Sequence, residues 1–503
     1  MDISPDLRHG RDLERKTVAE VPGDIPSLST KKGMELAGKA ERNILQQDTD
    51  PGRFPFELVG EILMWFCSSP AQLPAREISS DAFTFGHVCK TWRDVARARK
   101  DVWSSLRLNW AQCTSTLVAQ ESATYIAHTL GLSGNRPLNL QLFITAPQTS
   151  INSEALRIML APIFLQSGRW QKFLLTSSSE ALEAITIIKN PFHIQLSTPI
   201  LESFCIQSST KLPNKDRDIQ WSNTPFMNRL SAPMLRQAAF LDDAMMFIYP
   251  ETLPWAQLAE LDLLGLSVSV SLNEYAKILR HTDCMRKLRI SVDRSLESED
   301  PIVLDNLEIL HIVEHGRPPC VPQYHTLMCG RLIELSVEYA SNRMVIDSAE
   351  HTLRDILTSI HRLRRLYLQN VPLTEDGLIQ TLNQCPYLTY LAVTNNESSD
   401  FNLPLTNQSL FQLTISQNCT LLPQLEEVFF ESKACSDLHI ERFVASRWDI
   451  SNTTAGLRRL VYLSFGMVTE GRLQSQLRRY INCGLQVEIF ESAPSDTKIE
   501  AAS

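Results

Sequence analysis

Five residues between positions 311 and 329 are of the kinds that hold zinc: His311, His315, Cys320, His325 and Cys329. A structural zinc site draws its ligands from closely spaced cysteine and histidine pairs. The close cysteine pair is absent here, and His311 lies inside a repeated strand pattern. The stretch therefore reads as a strand followed by a loop, with no metal or cofactor expected. A second group, Lys90, Arg93, Arg97, Arg99 and Lys100, has the charge to grip phosphates. Asp94 and Asp101 interleave with it, and no motif of a nucleic-acid domain accompanies it. It reads as the solvated face of a helix, and no nucleic-acid partner is expected. The chain has no nucleophile elbow, no paired-histidine protease motif and no glycine-rich nucleotide loop. The expectation is a protein that binds rather than catalyses.

The elements that carry these residues fall into two textures. In FPFELVGEILMWF, Leu58, Ile62 and Phe66 recur every four residues beside Val59 and Leu63, which predicts an amphipathic helix. Pro55 suits its first turn. A loop holding Pro70 and Pro74 follows. VCKTWRDVARARKDVWSSLRL then predicts a second helix on which Val88, Trp92, Val95 and Ala96 share a face.

From about residue 137 to 490 a different pattern repeats, Leu-x-x-Leu-x-Leu with aliphatic substitutes. It appears as LESFCI from Leu201, LRQAAF from Leu235, LAELDL from Leu258, MRKLRI from Met285 and LEILHI from Leu307. It continues as LIELSV from Leu332, LRRLYL from Leu363, LTYLAV from Leu388, LEEVFF from Leu425 and LVYLSF from Leu460. Successive starts lie 22 to 37 residues apart. Helix signals fall between them: Thr374 caps a helix bearing Leu378, Ile379 and Leu382 that stops before Pro386, and Ser271 with Glu274 forms a capping box. One strand plus one helix, stacked in parallel, is the leucine-rich-repeat unit, and LNLQLFI and WQKFLLT are the least regular copies. No single unit can bury its own apolar strand positions, but neighbours can.

Composition bounds the rest. With 503 residues, 43% of them hydrophobic, the chain can bury a large core. Its 18 glycines, against a usual share of roughly 7%, leave little for phosphate-binding loops. A net charge of −9 is the opposite of a nucleic-acid binder's. Eleven cysteines, an odd number set mostly in apolar runs, suit a reduced, intracellular chain. The start, MDISPDLRHGRDLERK, lacks the apolar core of a secretory signal, and no apolar run is long enough to span a membrane. The expected location is cytoplasmic, nuclear or both.

The pairing of FPFELVGEIL with VCKTWRDVA and then VWSSLRL resembles the F-box, or F-box-like, domain abundant in mushroom-forming fungi. The match rests on Pro55, Glu57, Glu61, Ile62, Val88, Cys89, Trp92, Arg93, Ala96 and Trp103. It departs at Phe54 and Lys100, where Leu and Pro are usual, and in a longer stretch between the helices, roughly Cys67 to Phe83. The resemblance implies an α+β chain: a small all-α F-box module, then an irregular leucine-rich-repeat solenoid with a parallel sheet on its concave face. Together with the repeats and the polar ends, it divides the chain into a disordered N-terminus (1–33), a short helix and linker (34–50), the F-box-like domain (51–110), the repeats (111–491) and a disordered tail (492–503). It implies docking on the Skp-type adaptor of a cullin–RING ubiquitin ligase through Pro55, Leu58, Val59, Ile62, Leu63, Val88 and Trp92. The repeats would capture a target protein. The alternative is a binding scaffold whose diverged F-box engages no ligase.

Alternation along the strands predicts which residues face a target. Glu260, Asp262, Lys287, Arg289 and Glu334 belong to that face. The candidate substrate-binding residues on it are His311, Arg365, Tyr367, Tyr390, Phe429 and Tyr462, because aromatic residues and arginine dominate binding hot spots.

Overall fold

The computed structural model describes residues 55–66, 71–74, 87–110, 115–144, 152–178, 181, 197–208, 232–241, 253–264, 272–292, 301–314, 327–339, 350, 353–354, 356–394, 405–415, 421–431, 435–448, 459–466 and 470–490. The expectations for 1–33, 34–50 and 492–503, and those on Phe54, Ser271, His315, Cys320 and His325, lie outside them. The chain divides into two compact units, residues 1–59 and 60–503. Of the first, residues 55–59 are described. They open helix α1 (Phe56–Phe66), whose first turn is closed by Val59 N–H donating to Pro55 O at 3.2 Å.

Among the described residues of the second unit, fifteen strands form one sheet in which every neighbouring pair runs parallel and strand order follows chain order. The strands are β1 (Ala71–Pro74), β2 (Ser105–Trp110), β3 (Leu138–Ile144), β4 (Trp170–Ser177), β5 (Ser203–Ser208), β6 (Gln237–Leu241), β7 (Glu260–Leu263) and β8 (Lys287–Val292). After β9 (Ile302–Val303) come β10 (Ile309–Glu314), β11 (Leu327–Met328), β12 (Glu334–Tyr339), β13 (Arg365–Gln369), β14 (Tyr390–Thr394), β15 (Glu427–Glu431), β16 (Tyr462–Gly466) and β17 (Gln486–Phe490). Among the described residues, strands β9 and β11 pair only with each other. Parallel neighbours need a crossover of a dozen or so residues, which the repeat spacing supplies.

The remaining described helices are α2 (Lys90–Ala98), α3 (Thr116–Leu132), α4 (Ser153–Phe164), α5 (Leu272–Leu279), α6 (Glu375–Asn383), α7 (Asn407–Leu413), α8 (Asp437–Trp448) and α9 (Glu470–Asn482). Caps fix several of them. Asn152 accepts from Ala155 N–H at the start of α4, and Thr374 accepts from Gly377 N–H at the start of α6, as its sequence predicts. Helix α6 ends three residues before Pro386, also as predicted. Gly484, at φ 104°, turns the chain from α9 into β17 in a conformation that side-chain-bearing residues rarely adopt.

Burial alternates along the strands, as in β3, where Leu138, Leu140, Leu142 and Ile144 are buried and the residues between them are half-exposed. The register aligns the buried positions across the sheet, for example Leu335, Leu366, Leu391, Val428 and Leu463. They join the buried faces of the helices in one contiguous apolar core from Leu106 to Leu485. The fold is therefore mixed α/β with a long parallel sheet.

Two local expectations change. Residues 71–74, expected in a loop, form β1 beside β2. Val88 precedes α2 and is 60% exposed, so it does not share the buried face of Val95 and Ala96. Of the two tryptophans, Trp103 is the buried one. Its indole N–H donates to Ala96 O at 2.6 Å, tying the end of α2 to the turn that leads into β2, while Trp92 is half-buried.

Candidate functional site

On the half-exposed face of the sheet, the register sets side chains from successive strands opposite one another. One row runs Glu260, Lys287, Ile309, Glu334, Arg365, Tyr390, Glu427, Tyr462, Gln486. The next runs Asp262, Arg289, His311, Ser336, Tyr367, Ala392, Phe429, Ser464, Glu488. All six candidate substrate-binding residues stand on these two rows. The structure brings five of them together on β13–β16, and sets His311 apart on β10.

His311 belongs to a polar ladder. Arg289 donates to Asp262 Oδ2 at 2.8 Å and to His311 Nδ1 at 3.4 Å, and His311 Nε2 lies 3.7 Å from Glu338. Burial raises the Asp262 carboxyl above its ordinary range, outweighing the opposing Arg289 charge. Neighbouring groups on the face hold His311 in place.

The second cluster is aromatic and acidic. The Tyr367 and Tyr390 rings meet with centroids 4.8 Å apart, tilted by 35°. Arg365 lies 3.7 Å from Glu334, and its charge acts against the rise in the Tyr367 pKa. The Tyr462 hydroxyl donates to Glu488 Oε2 at 2.8 Å. Glu427, exposed, stands in register between Tyr390 and Tyr462. All three tyrosine hydroxyls titrate above their ordinary value. Burial is the largest cause in each, followed by Glu334 at Tyr367, by Tyr367 and Glu427 at Tyr390, and by the hydrogen bond to Glu488 at Tyr462. At neutral pH these rings stay uncharged and offer donors and π faces. Sequence reasoning passed over Glu427, Glu338 and Glu488. The signal for Glu427 was present, since it flanks buried Val428 in LEEVFF as Arg365 flanks Leu366 in LRRLYL.

The residues named for adaptor docking divide by exposure. Pro55, Leu58 (52%) and Val88 (60%) are exposed, as is Phe56 (50%), while Ile62 and Trp92 are half-buried. Val59 and Leu63 are each 1% exposed and serve as core. In the basic group, Lys90, Arg93, Arg97 and Lys100 are exposed, and Arg99 lies 3.5 Å from Asp101 and 3.9 Å from Glu61. That is the arrangement of a solvated helix face.

Of the zinc-like set, His311 and Cys329 are described. Burial pushes the Cys329 thiol up to about 12, which keeps it protonated and a poor ligand. Among the described residues no group of three or more His, Cys, Asp or Glu could hold a metal ion, and no helix is long and apolar enough to cross a membrane. No protein-family model matches the chain, and no curated protein matches it.

Proposed function

We propose that the chain is a non-catalytic substrate receptor of a Skp–cullin–F-box type ubiquitin ligase. In this reading α1 and α2 belong to an F-box-like module that docks on the Skp-type adaptor, and the parallel sheet belongs to a leucine-rich-repeat solenoid that binds a target protein. The observation that carries the proposal is the exposure of Phe56 and Leu58 on α1 and of Val88 before α2. These apolar side chains fall within the F-box-like motifs and gain by burial against a partner. A protein–protein interface of standard size buries roughly 1,600 Å². The function is one of proximity: one end holds the ligase while the other holds the target, and the transfer chemistry belongs to the partner enzymes.

Burial of Val59 and Leu63 favours a second reading, a scaffold with no ligase, because it removes two of the residues expected to meet the adaptor. A titration of the full chain against the Skp-type adaptor separates the two. Binding on the order of micromolar or tighter, lost in Leu58→Glu with circular dichroism unchanged, is the outcome expected of a receptor. A folded wild-type chain that does not bind establishes the scaffold.

A further inference from the structure

The half-exposed face of the sheet changes in charge along its length. On β2–β8 its charged residues are Arg107, Lys172, Lys287 and Arg289 against Glu260 and Asp262. On β10–β17 five glutamates, Glu334, Glu338, Glu427, Glu431 and Glu488, face one arginine, Arg365. That arginine is already engaged by Glu334. A phosphorylated or acidic segment laid over β13–β16 would meet an excess of carboxylates and find no unengaged cation on these rows.

We propose that this part of the face takes a basic segment of the target protein, with a lysine or arginine side chain seated between Tyr390 and Tyr462 on the Glu427 carboxylate. The proposal rests on reading the sheet face as the target surface and adds the chemical class of the target. Tyr390, Glu427 and Tyr462 lie directly opposite one another on three successive strands. With strands about 4.8 Å apart, the two tyrosine backbones stand roughly 10 Å apart with the carboxylate midway. That spacing lets both rings come within about 6 Å of one cation, the range in which a ring face attracts it. Glu427 is exposed and, among the described residues, makes no salt bridge, so a cation docking there displaces no existing partner. The Tyr367 ring, stacked on Tyr390, extends the apolar wall for the aliphatic stem of the guest.

The test is fluorescence anisotropy of the full chain with three labelled probes: a glycine–lysine repeat peptide, its arginine counterpart and its phosphoserine counterpart. A basic peptide should bind, and the phosphoserine peptide should not. Glu427→Gln and Tyr390→Ala should each weaken binding about tenfold. Glu121→Gln, which removes the same charge from the exposed side of α3, should leave it unchanged. Binding of the phosphoserine peptide, lost in Arg289→Ala, would overturn the cationic class and leave the sheet as a target surface. Basic-peptide binding that ignores both Glu427→Gln and Tyr390→Ala, or no binding by any probe, would overturn the proposal together with the target reading of this face.

Discussion

Strands β4–β6 and β13–β16 share one repeat pattern, and both bury aromatic residues, Phe430 and Phe465 in the second set, but only the second also carries a row of aromatics on the half-exposed face. In the first set Trp170, Phe173, Phe204 and Phe240 are all buried, with successive ring centroids 4.6, 5.6 and 6.0 Å apart. The half-exposed positions beside them are Leu174, Cys205 and Ala239. In the second set the equivalent buried row is Leu366, Leu391, Val428 and Leu463, and the aromatics Tyr367, Tyr390, Phe429 and Tyr462 stand on the half-exposed face. A ring inside contributes burial and packing. A half-exposed ring contributes less to folding and leaves surface for a partner. The first region keeps its rings for the core, while the second leaves rings exposed on the face proposed above to meet a target.

That contrast breaks most readily at its buried end. Phe204→Ala should cost about 4 kcal/mol, the usual loss on emptying a core aromatic site, measured by urea unfolding. A cost under about 1 kcal/mol would mean that the stacked row is not a structural spine. The second region has its own core anchor in Arg447, which is 0% exposed and donates to the carbonyls of Leu413, Leu421 and Leu422 at 2.8, 2.8 and 2.9 Å. Leu422 holds a left-handed backbone at φ 53°, a strained conformation for leucine. Arg447→Ala strands three carbonyls and should cost about 3 kcal/mol by the same measurement.

Smaller effects sharpen the comparison. Tyr367→Ala should cost only about 1 kcal/mol, the order of its ring contact with Tyr390, while it weakens binding of a basic peptide. A loss as large as that of Phe204→Ala would erase the distinction between the two regions. Trp103→Phe keeps the buried ring and removes one hydrogen bond, for a cost of about 1 kcal/mol in thermal unfolding.

The smallest effect is one of pH, at Asp262. Its native carboxyl holds a proton more tightly than the unfolded one, whose ordinary value is 3.8. This group therefore favours folding most below 3.8, and that advantage is lost as pH rises through the raised native value. Asp262→Asn should flatten the stability profile over that window. A profile with the same slope in both proteins would contradict the burial assigned to Asp262.

The strands were the most legible part of the sequence. All ten quoted Leu-x-x-Leu-x-Leu copies form strands of the sheet, and in each the first leucine, or Met285, is buried two residues before the strand starts. The pattern is legible because each copy must bury the same positions. Strand β1 was not, since Pro74 and its neighbours carry turn residues and pair only because β2 lies beside them. The binding candidates were half-legible. Alternation places Tyr367, Tyr390 and Tyr462 on the outer face, but lateral neighbours come from chain segments dozens of residues apart. The position of Glu427 between two tyrosines, and the tie from Arg289 to His311, depend on register between strands, which no local pattern contains.

In the proposed function, adaptor docking and target capture occupy separate parts of one chain. Hydrogen–deuterium exchange of the full chain, with and without the Skp-type adaptor, tests it most directly. The expected result is added protection in residues 55–63 and 87–98, with β13–β16 unchanged. Protection centred on β13–β16, or none anywhere at saturating adaptor, would contradict it.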